Sequence, residues 1–411
     1  MLAVASVARA QASSAPPHAA DSTAGASGSL ALYGVALVSR ADPAMFGRAY
    51  TEGYLAQPMV MARGTALRGQ LEGVLTIDFE GLTLVRGQLT PGAYGEGYVD
   101  RRHPHTYLHE AVLVGRGAFG STTVSLAAGK GFVAFGTDDP MTRPFAAYPV
   151  NHHLAQILER YVVTAAVRRG RIAIEASLFN GDEPLSPGAP PDADRFGDSW
   201  SARGTAGLGA GVELQASYAF VTSPELVTGG LDQHKWSGAA RLERDTGPIR
   251  YALVEWAWTD AVLGDVSTNR FSSLLAEGST DVRGVTASVR YENTTRPEEQ
   301  RLLDPFRTSR SPTDLSVIGV TRWQTLTSAA TLSRPLGIVL VAPFVEVAWS
   351  RPTQAVRPSA FVPKEFYGTS SIWMLSAGFR FGLGRVHHRM GRYGVAAFDG
   401  EQPTRTTHGG H

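Results

Sequence analysis

The stretch that decides the fold is RIAIEASLF, residues 171–179, in which apolar and polar side chains alternate. Ile172, Ile174 and Leu178 fall on one face of an extended chain, and Glu175 falls on the other. A period of two residues is that of a β-strand, and a single apolar face is typical of a strand whose two sides meet different surroundings. The stretch therefore predicts a half-apolar strand rather than a helix.

The same pattern returns nearby, and links of two contrasting lengths join the strands. GVELQASYAFV, residues 211–221, alternates in the same way. Residues 168–170 and 207–209 contain glycine and predict tight turns, whereas residues 182–195 form a long link rich in Pro, Gly and Asp. Tight turns that alternate with long loops are typical of outer-membrane β-barrels.

Extending this pattern predicts an all-β fold, a transmembrane antiparallel up-and-down barrel of about sixteen strands over residues 29–383. One entering strand, seven hairpins with tight turns and one closing strand give an even number, which leaves both termini at the periplasmic end. The closing strand, residues 372–383, alternates most regularly. The weakest hairpin lies within residues 269–293, with its turn at residues 278–280, and the even count depends on it.

Composition excludes several other classes of protein. The 411 residues are 43% hydrophobic and 18% charged with a net charge of +1, which argues against intrinsic disorder and against a nucleic-acid partner. The absence of cysteine excludes disulfides and thiolate zinc sites. No apolar run approaches the ~20 residues of a membrane-spanning helix. A soluble β-solenoid or sandwich is the remaining alternative.

The two ends of the chain differ from the strand region. Residues 1–12 read as a partial signal peptide with small-x-small cleavage patterns, and residues 13–28 read as a disordered, Ala-rich leader. Residues 384–411 form a C-terminal tail with four histidines, which we expect to be solvated in the periplasm.

Several segments carry a resemblance to a known family. They are GEGYVDRRHPH at residues 95–105, LHE at 108–110, SLFNGDEP at 177–184, LQASY at 214–218 and SPE at 223–225. In this order they resemble a poorly characterised family of bacterial outer-membrane barrels that is often encoded near heavy-metal resistance systems. The resemblance implies the barrel fold and an outer-membrane location, and it implies no defined activity.

Charged residues on the predicted inward faces are candidates for the lining of a pore. A barrel of this size encloses a water-filled lumen, so polar inward positions favour a channel. The predicted lining residues are Glu72, Arg171, Glu175, Glu213, Arg241, Glu243, Arg290, Glu292 and Arg380, and the predicted loop constriction comprises Asp100, Arg101 and Arg102. Four of these wall charges are Arg and five are Glu, so 4 − 5 leaves a balance near zero and predicts weak ion selectivity.

A second candidate site is a cluster of histidines on the second long loop. His103, His105 and His109 could supply imidazole ligands to a divalent metal. Arg101 and Arg102 beside them would repel a cation, so the alternative is a hydrogen-bonded loop folded into the lumen.

These observations lead to a porin-like barrel that passes small hydrophilic solutes passively through the outer membrane. The alternatives are a metal-associated envelope protein that uses the histidine loops and a structural barrel with a plugged lumen. We find no Gly-x-Ser-x-Gly elbow and expect no enzymatic activity and no cofactor. The expected partners are outer-membrane lipid and small solutes, and a homo-oligomer is compatible with the sequence.

Overall fold

A computed structural model of the chain describes residues 25–43, 47–83, 105–137, 143–150, 152–184, 187–224, 230–244, 246–299, 317–356, 359–384 and 389–397. Within these residues nearly all regular structure is β-strand, and no helix is long and apolar enough to cross a membrane. The two short α-helices are α1 (Glu80–Thr83) and α2 (Pro363–Tyr367).

The strands follow one another in chain order. They are β1 (Ala26–Asp42), β2 (Tyr50–Ala66), β3 (Leu71–Asp78), β4 (Leu108–Phe119), β5 (Thr122–Gly131), β6 (Arg160–Arg169), β7 (Ile172–Phe179), β8 (Ser199–Gly209), β9 (Val212–Val221), β10 (Asp232–Glu243), β11 (Tyr251–Leu263), β12 (Val266–Val282), β13 (Val285–Glu299), β14 (Val317–Thr331), β15 (Arg334–Leu336), β16 (Val339–Gln354) and β17 (Ile372–Leu383).

The sheet closes on itself as an antiparallel barrel. Each strand pairs with its neighbours in the chain, and β17 pairs with β1 from Leu32↔Leu383 to Asp42↔Trp373. Closure satisfies the backbone groups that an edge strand would leave unpaired. The predicted fold class is therefore confirmed.

Segments β14 and β15 form one strand of this barrel, so the barrel has sixteen strands, as predicted. Both segments pair with β16 in the same register, because Thr331↔Phe344 in one continues as Arg334↔Val341 in the other. Opposite the break, Pro343 still accepts a hydrogen bond from the backbone N–H of Leu332 at 2.9 Å. Proline has no N–H to return, so the ladder is interrupted there.

The two faces of each strand meet different surroundings. In β7 the side chains of Ile172, Ile174 and Leu178 are exposed on the outer surface, whereas Ala173 and Glu175 are buried inside. The same alternation runs through β9, β11, β12 and β17. The result is an apolar outer belt around a polar inner wall.

The sixth hairpin differs from the prediction. Its turn lies at Arg283 and Gly284, both with positive φ, and residues 278–280 lie inside β12. Gly278, Ser279 and Thr280 have the composition of a turn, but all three pair with β13, and Gly278 and Ser279 also pair with β11. Ladder hydrogen bonds on both sides stabilise the extended chain there more than a local turn would. The predicted turn at residues 207–209 is likewise displaced, to Ala210–Gly211.

The tight turns lie at one end of the barrel and the longer connections at the other, which we call the tight-turn end and the long-loop end. At the long-loop end, β11 and β12 are joined by a turn of only two residues, Gly264 and Asp265.

Two segments fold into the interior. One is the inner loop between β5 and β6, described at residues 132–137, 143–150 and 152–158; the other is the tail segment, residues 389–397.

Candidate functional site

The inner wall carries most of the charges that the sequence assigned to it. Arg171 does not belong to this set, because it lies exposed in the tight turn before β7. The remaining positions are on inward faces and are buried or half-buried: Glu72, Glu175, Glu213, Arg241, Glu243, Arg290, Glu292 and Arg380. Asp100, Arg101, Arg102 and His103 lie outside the described residues.

Charges on neighbouring strands of the wall pair with each other. Glu72 of β3 lies between Arg63 of β2, at 2.6 Å, and Arg116 of β4. Glu175 of β7 accepts two hydrogen bonds of 2.6 Å from Arg203 of β8. Such charge-assisted pairs fix the side chains against the wall and cancel their charge locally.

The inner loop is attached to the wall through carboxylates that accept hydrogen bonds from its backbone. The N–H groups of Ala146 and Ala147 donate to Glu346 of β16 at 3.0 and 3.2 Å. The N–H of Val150 donates to Glu292 of β13 at 2.7 Å. Each hydrogen bond gives a partner both to a buried carboxylate and to a backbone N–H of the loop. A loop exposed to water would not need such partners, because water would supply them.

One loop arginine strengthens this attachment. Arg143 is buried, donates to Glu255 of β11 at 3.0 Å and lies 3.8 Å from Glu277 of β12. Glu277 also accepts from Arg290 of β13 at 2.7 Å, and the guanidinium of Arg290 lies 4.2 Å from the centre of the Phe145 ring. Wall and loop charges thus form one connected network on the β11–β13 side of the lumen.

The tail segment is held against β8 and β9 by two of its own arginines. Arg389 makes a bidentate pair with Glu213 of β9, at 2.8 and 2.9 Å. Arg392 donates to Thr205 of β8 at 2.7 Å, and Arg203 donates to the carbonyl of Gly391 at 2.7 Å. The described part of the tail is therefore buried inside the barrel, and the prediction of a solvated end is wrong for it. The four tail histidines lie outside the described residues.

The far part of the tail segment connects the wall to the inner loop. The Tyr393 hydroxyl donates to Glu110 of β4 at 2.7 Å and accepts from the N–H of Phe132 at 3.1 Å. The N–H of Val395 donates to Ser125 of β5 at 3.1 Å. Tail, loop and wall therefore share one set of hydrogen bonds.

A cluster of histidine and carboxylate side chains lies at the long-loop end of β3 and β4. The ring centres of His105 and His109 are 5.0 Å apart, and both rings are buried beside Asp78. The Nδ1 of His109 lies 2.7 Å from a carboxylate oxygen of Glu159. Burial alone would raise the pKa of Glu159, but its hydrogen bond with His109 and the charge of Lys130 more than offset this effect and hold the pKa at about 2. Glu159 is therefore ionised at neutral pH.

Some residues of the interior were not predicted from the sequence. Arg203 had a usable signal, because the inward residues Ser199, Ser201, Arg203 and Thr205 alternate along β8 with Trp200 and with small residues. Arg143 had none, since it lies in an irregular loop whose path the local sequence does not indicate.

Comparison with known proteins places the fold among bacterial porins. No protein-family model and no curated protein matches the sequence. An anion-selective porin from Comamonas acidovorans is 12% identical, with 87% of this chain and 100% of that chain covered and a TM-score of 0.52. OprB of Pseudomonas putida, in a high-pH structure, is 10% identical, with 88% and 94% covered and a TM-score of 0.50. These likenesses establish the barrel fold.

Proposed function

We propose that this protein is an outer-membrane porin-like barrel through which small hydrophilic solutes pass passively. The observation that carries the proposal is the closed barrel of sixteen strands with an apolar exterior and a charged inner wall. An apolar belt suits contact with lipid, and an inner wall of paired charges suits a polar interior that holds water and solutes.

The inner loop and the tail segment limit this passage to small solutes. Both occupy the lumen, and they bury many of the wall side chains that an empty barrel of this size would expose. Because the wall charges are paired, we propose weak selectivity between cations and anions. The exception that we propose is the segment with Asp100, Arg101 and Arg102: if it folds inward, it adds a constriction that attracts anions and replaces the weak selectivity by a preference for anions.

Single-channel recording of the refolded protein in a planar bilayer tests the proposal. We expect small, stepwise conductance and a reversal potential near zero in a salt gradient. Absence of conductance in wild type, with steps appearing when the tail is loosened by Arg389→Gln, would favour the alternative of a barrel plugged by its own segments. That alternative is supported by the same buried wall.

The remaining proposals concern the setting of the protein. We propose an outer-membrane location with lipid around the belt, a passive and therefore non-enzymatic role, and a homo-oligomer as its assembly. An association with heavy-metal resistance is proposed only from the resemblance in sequence. Fractionation of membranes by density, followed by size measurement in detergent, tests location and assembly together.

A further inference from the structure

We propose that Asp78, His105 and His109 bind a divalent transition-metal ion, of which Zn²⁺ is the best match, at the long-loop end of the barrel. This site is independent of solute passage. The three side chains are among the least exposed polar groups of the protein, with relative exposures of 0%, 4% and 0%. One ligand atom from each lies within 4.8 Å of the others.

The separations of His105 from the neighbouring carboxylates are those of ligands around a shared ion. The Nδ1 of His105 lies 3.6 Å from a carboxylate oxygen of Asp78 and 3.5 Å from one of Glu80. These distances are long for hydrogen bonds. Zinc–ligand bonds of about 2.1 Å in a tetrahedron place neighbouring ligand atoms about 3.4 Å apart.

Several ligand atoms lack a hydrogen-bond partner among the residues that the structure describes. They are both ring nitrogens of His105, the Nε2 of His109 and the Oδ2 of Asp78. A buried polar atom without a partner is unfavourable, and buried native groups seldom lack one. A cation between them would satisfy one atom of each residue together.

The other atoms of the same residues are already fixed, as they are in known metal sites. The Nδ1 of His109 is bonded to Glu159, which also accepts from the N–H of Thr106 at 2.9 Å. A ligating histidine commonly donates its second N–H to a carboxylate, which leaves the other nitrogen with its lone pair toward the metal. The Oδ1 of Asp78 accepts from the N–H of Glu80 at 2.8 Å, which leaves Oδ2 as the ligand atom.

A β-bulge directs His109 into the cluster. Thr76 pairs with Glu110, but the next residue, Ile77, pairs with Leu108, so His109 has no partner in the ladder. Both His109 and Glu110 are buried, although strict alternation would place one of them outside. Bulges that re-aim a side chain are over-represented at functional sites.

The donor set and the charge indicate which ion fits. Two imidazoles and one carboxylate suit Zn²⁺ and its neighbours in the transition series better than Mg²⁺ or Ca²⁺, which prefer oxygen ligands alone. Of the predicted ligands, the structure brings together His105 and His109. Asp78, which the sequence did not indicate, joins them, and His103 lies outside the described residues.

The test is metal titration of the refolded full-length protein after treatment with a chelator. We expect Zn²⁺ to bind with a stoichiometry of one that the double variant His105→Gln, His109→Gln abolishes, and Co²⁺ to give the visible absorption of a tetrahedral site. Glu159→Gln leaves all three ligands in place and should weaken Zn²⁺ binding by about 10–100-fold. The matched control is His234→Gln, because His234 lies in β10 and hydrogen-bonds Tyr218.

Far-UV circular dichroism establishes that each variant is folded before titration. The tail histidines could bind Zn²⁺ weakly, so the comparison between variants decides the outcome. Equal Zn²⁺ binding by the double variant and by His234→Gln would overturn the proposal, as would no binding by the wild type. Conductance without Zn²⁺ binding would refute the metal site but leave the proposed channel function standing.

Discussion

Exchange of Arg389 for glutamine should release the tail segment from the wall. The bidentate pair between Arg389 and Glu213 is the strongest contact of the tail that involves opposite charges. Removing one partner of a buried ion pair costs about 3–5 kcal/mol. Glu213 keeps a contact with Arg392 at 3.6 Å, so we take the lower limit. At about 1.4 kcal/mol per factor of ten, about 3 kcal/mol lowers the docking equilibrium roughly 100-fold.

A single introduced thiol measures this equilibrium. The protein has no cysteine, so Ala396→Cys provides one reporter at a buried position of the tail. The rate at which a maleimide labels this thiol follows the undocked fraction when docking is fast. We expect Arg389→Gln to raise the rate roughly 100-fold, which is the factor worked out above. Arg116→Gln, which removes an inner-wall arginine from a pair with Glu72, should leave it unchanged. Equal labelling rates with and without Arg389 would refute the reasoning.

Three further changes test the wall, the inner loop and a turn. Leu326→Lys in the middle of β14 should lower the free energy of unfolding by about 2–4 kcal/mol, and Ile172→Lys beside a tight turn should lower it by only about 0–1 kcal/mol. Both side chains face outward but lie at different depths, and urea unfolding in lipid vesicles measures the difference. Arg143→Ala should lower the free energy of unfolding by about 3 kcal/mol, because two buried carboxylates lose a partner, while Arg143→Lys should lower it less; equal losses would argue against a charge effect. Gly211→Ala should lower the thermal unfolding temperature more than Gly284→Ala. Both glycines have positive φ, but only at Gly211 would the new Cβ collide with a backbone oxygen, that of Glu243.

Periodicity predicted those parts of the fold in which two environments meet along one strand. Strand β17 was predicted at residues 372–383 and is observed as Ile372–Leu383, because lipid on one side and the lumen on the other impose a period of two. Turn positions were less predictable, since Gly278-Ser279-Thr280 and Arg283-Gly284 have similar turn propensity and the ladder register chooses between them.

The interior was less predictable because its contacts join residues that are far apart in sequence. Arg389 and Arg392 look like solvated residues until Glu213 and Glu175 are placed opposite them by the barrel. The bulge at His109 also leaves no mark in the local sequence, because it arises from pairing with β3.

The burial of the tail segment makes the charge of the lumen depend on residues 389–397. The wall charges that contact the tail segment are Glu110, Glu175, Glu213 and Arg203, so 3 − 1 leaves two negative charges, which Arg389 and Arg392 offset. A protease that removed the tail segment would therefore leave a net negative charge on the wall residues that it contacts, and this charge attracts cations. In the proposed channel, ion preference would therefore report the loss of the tail segment, because one cut would change both the free width and the charge of the lumen.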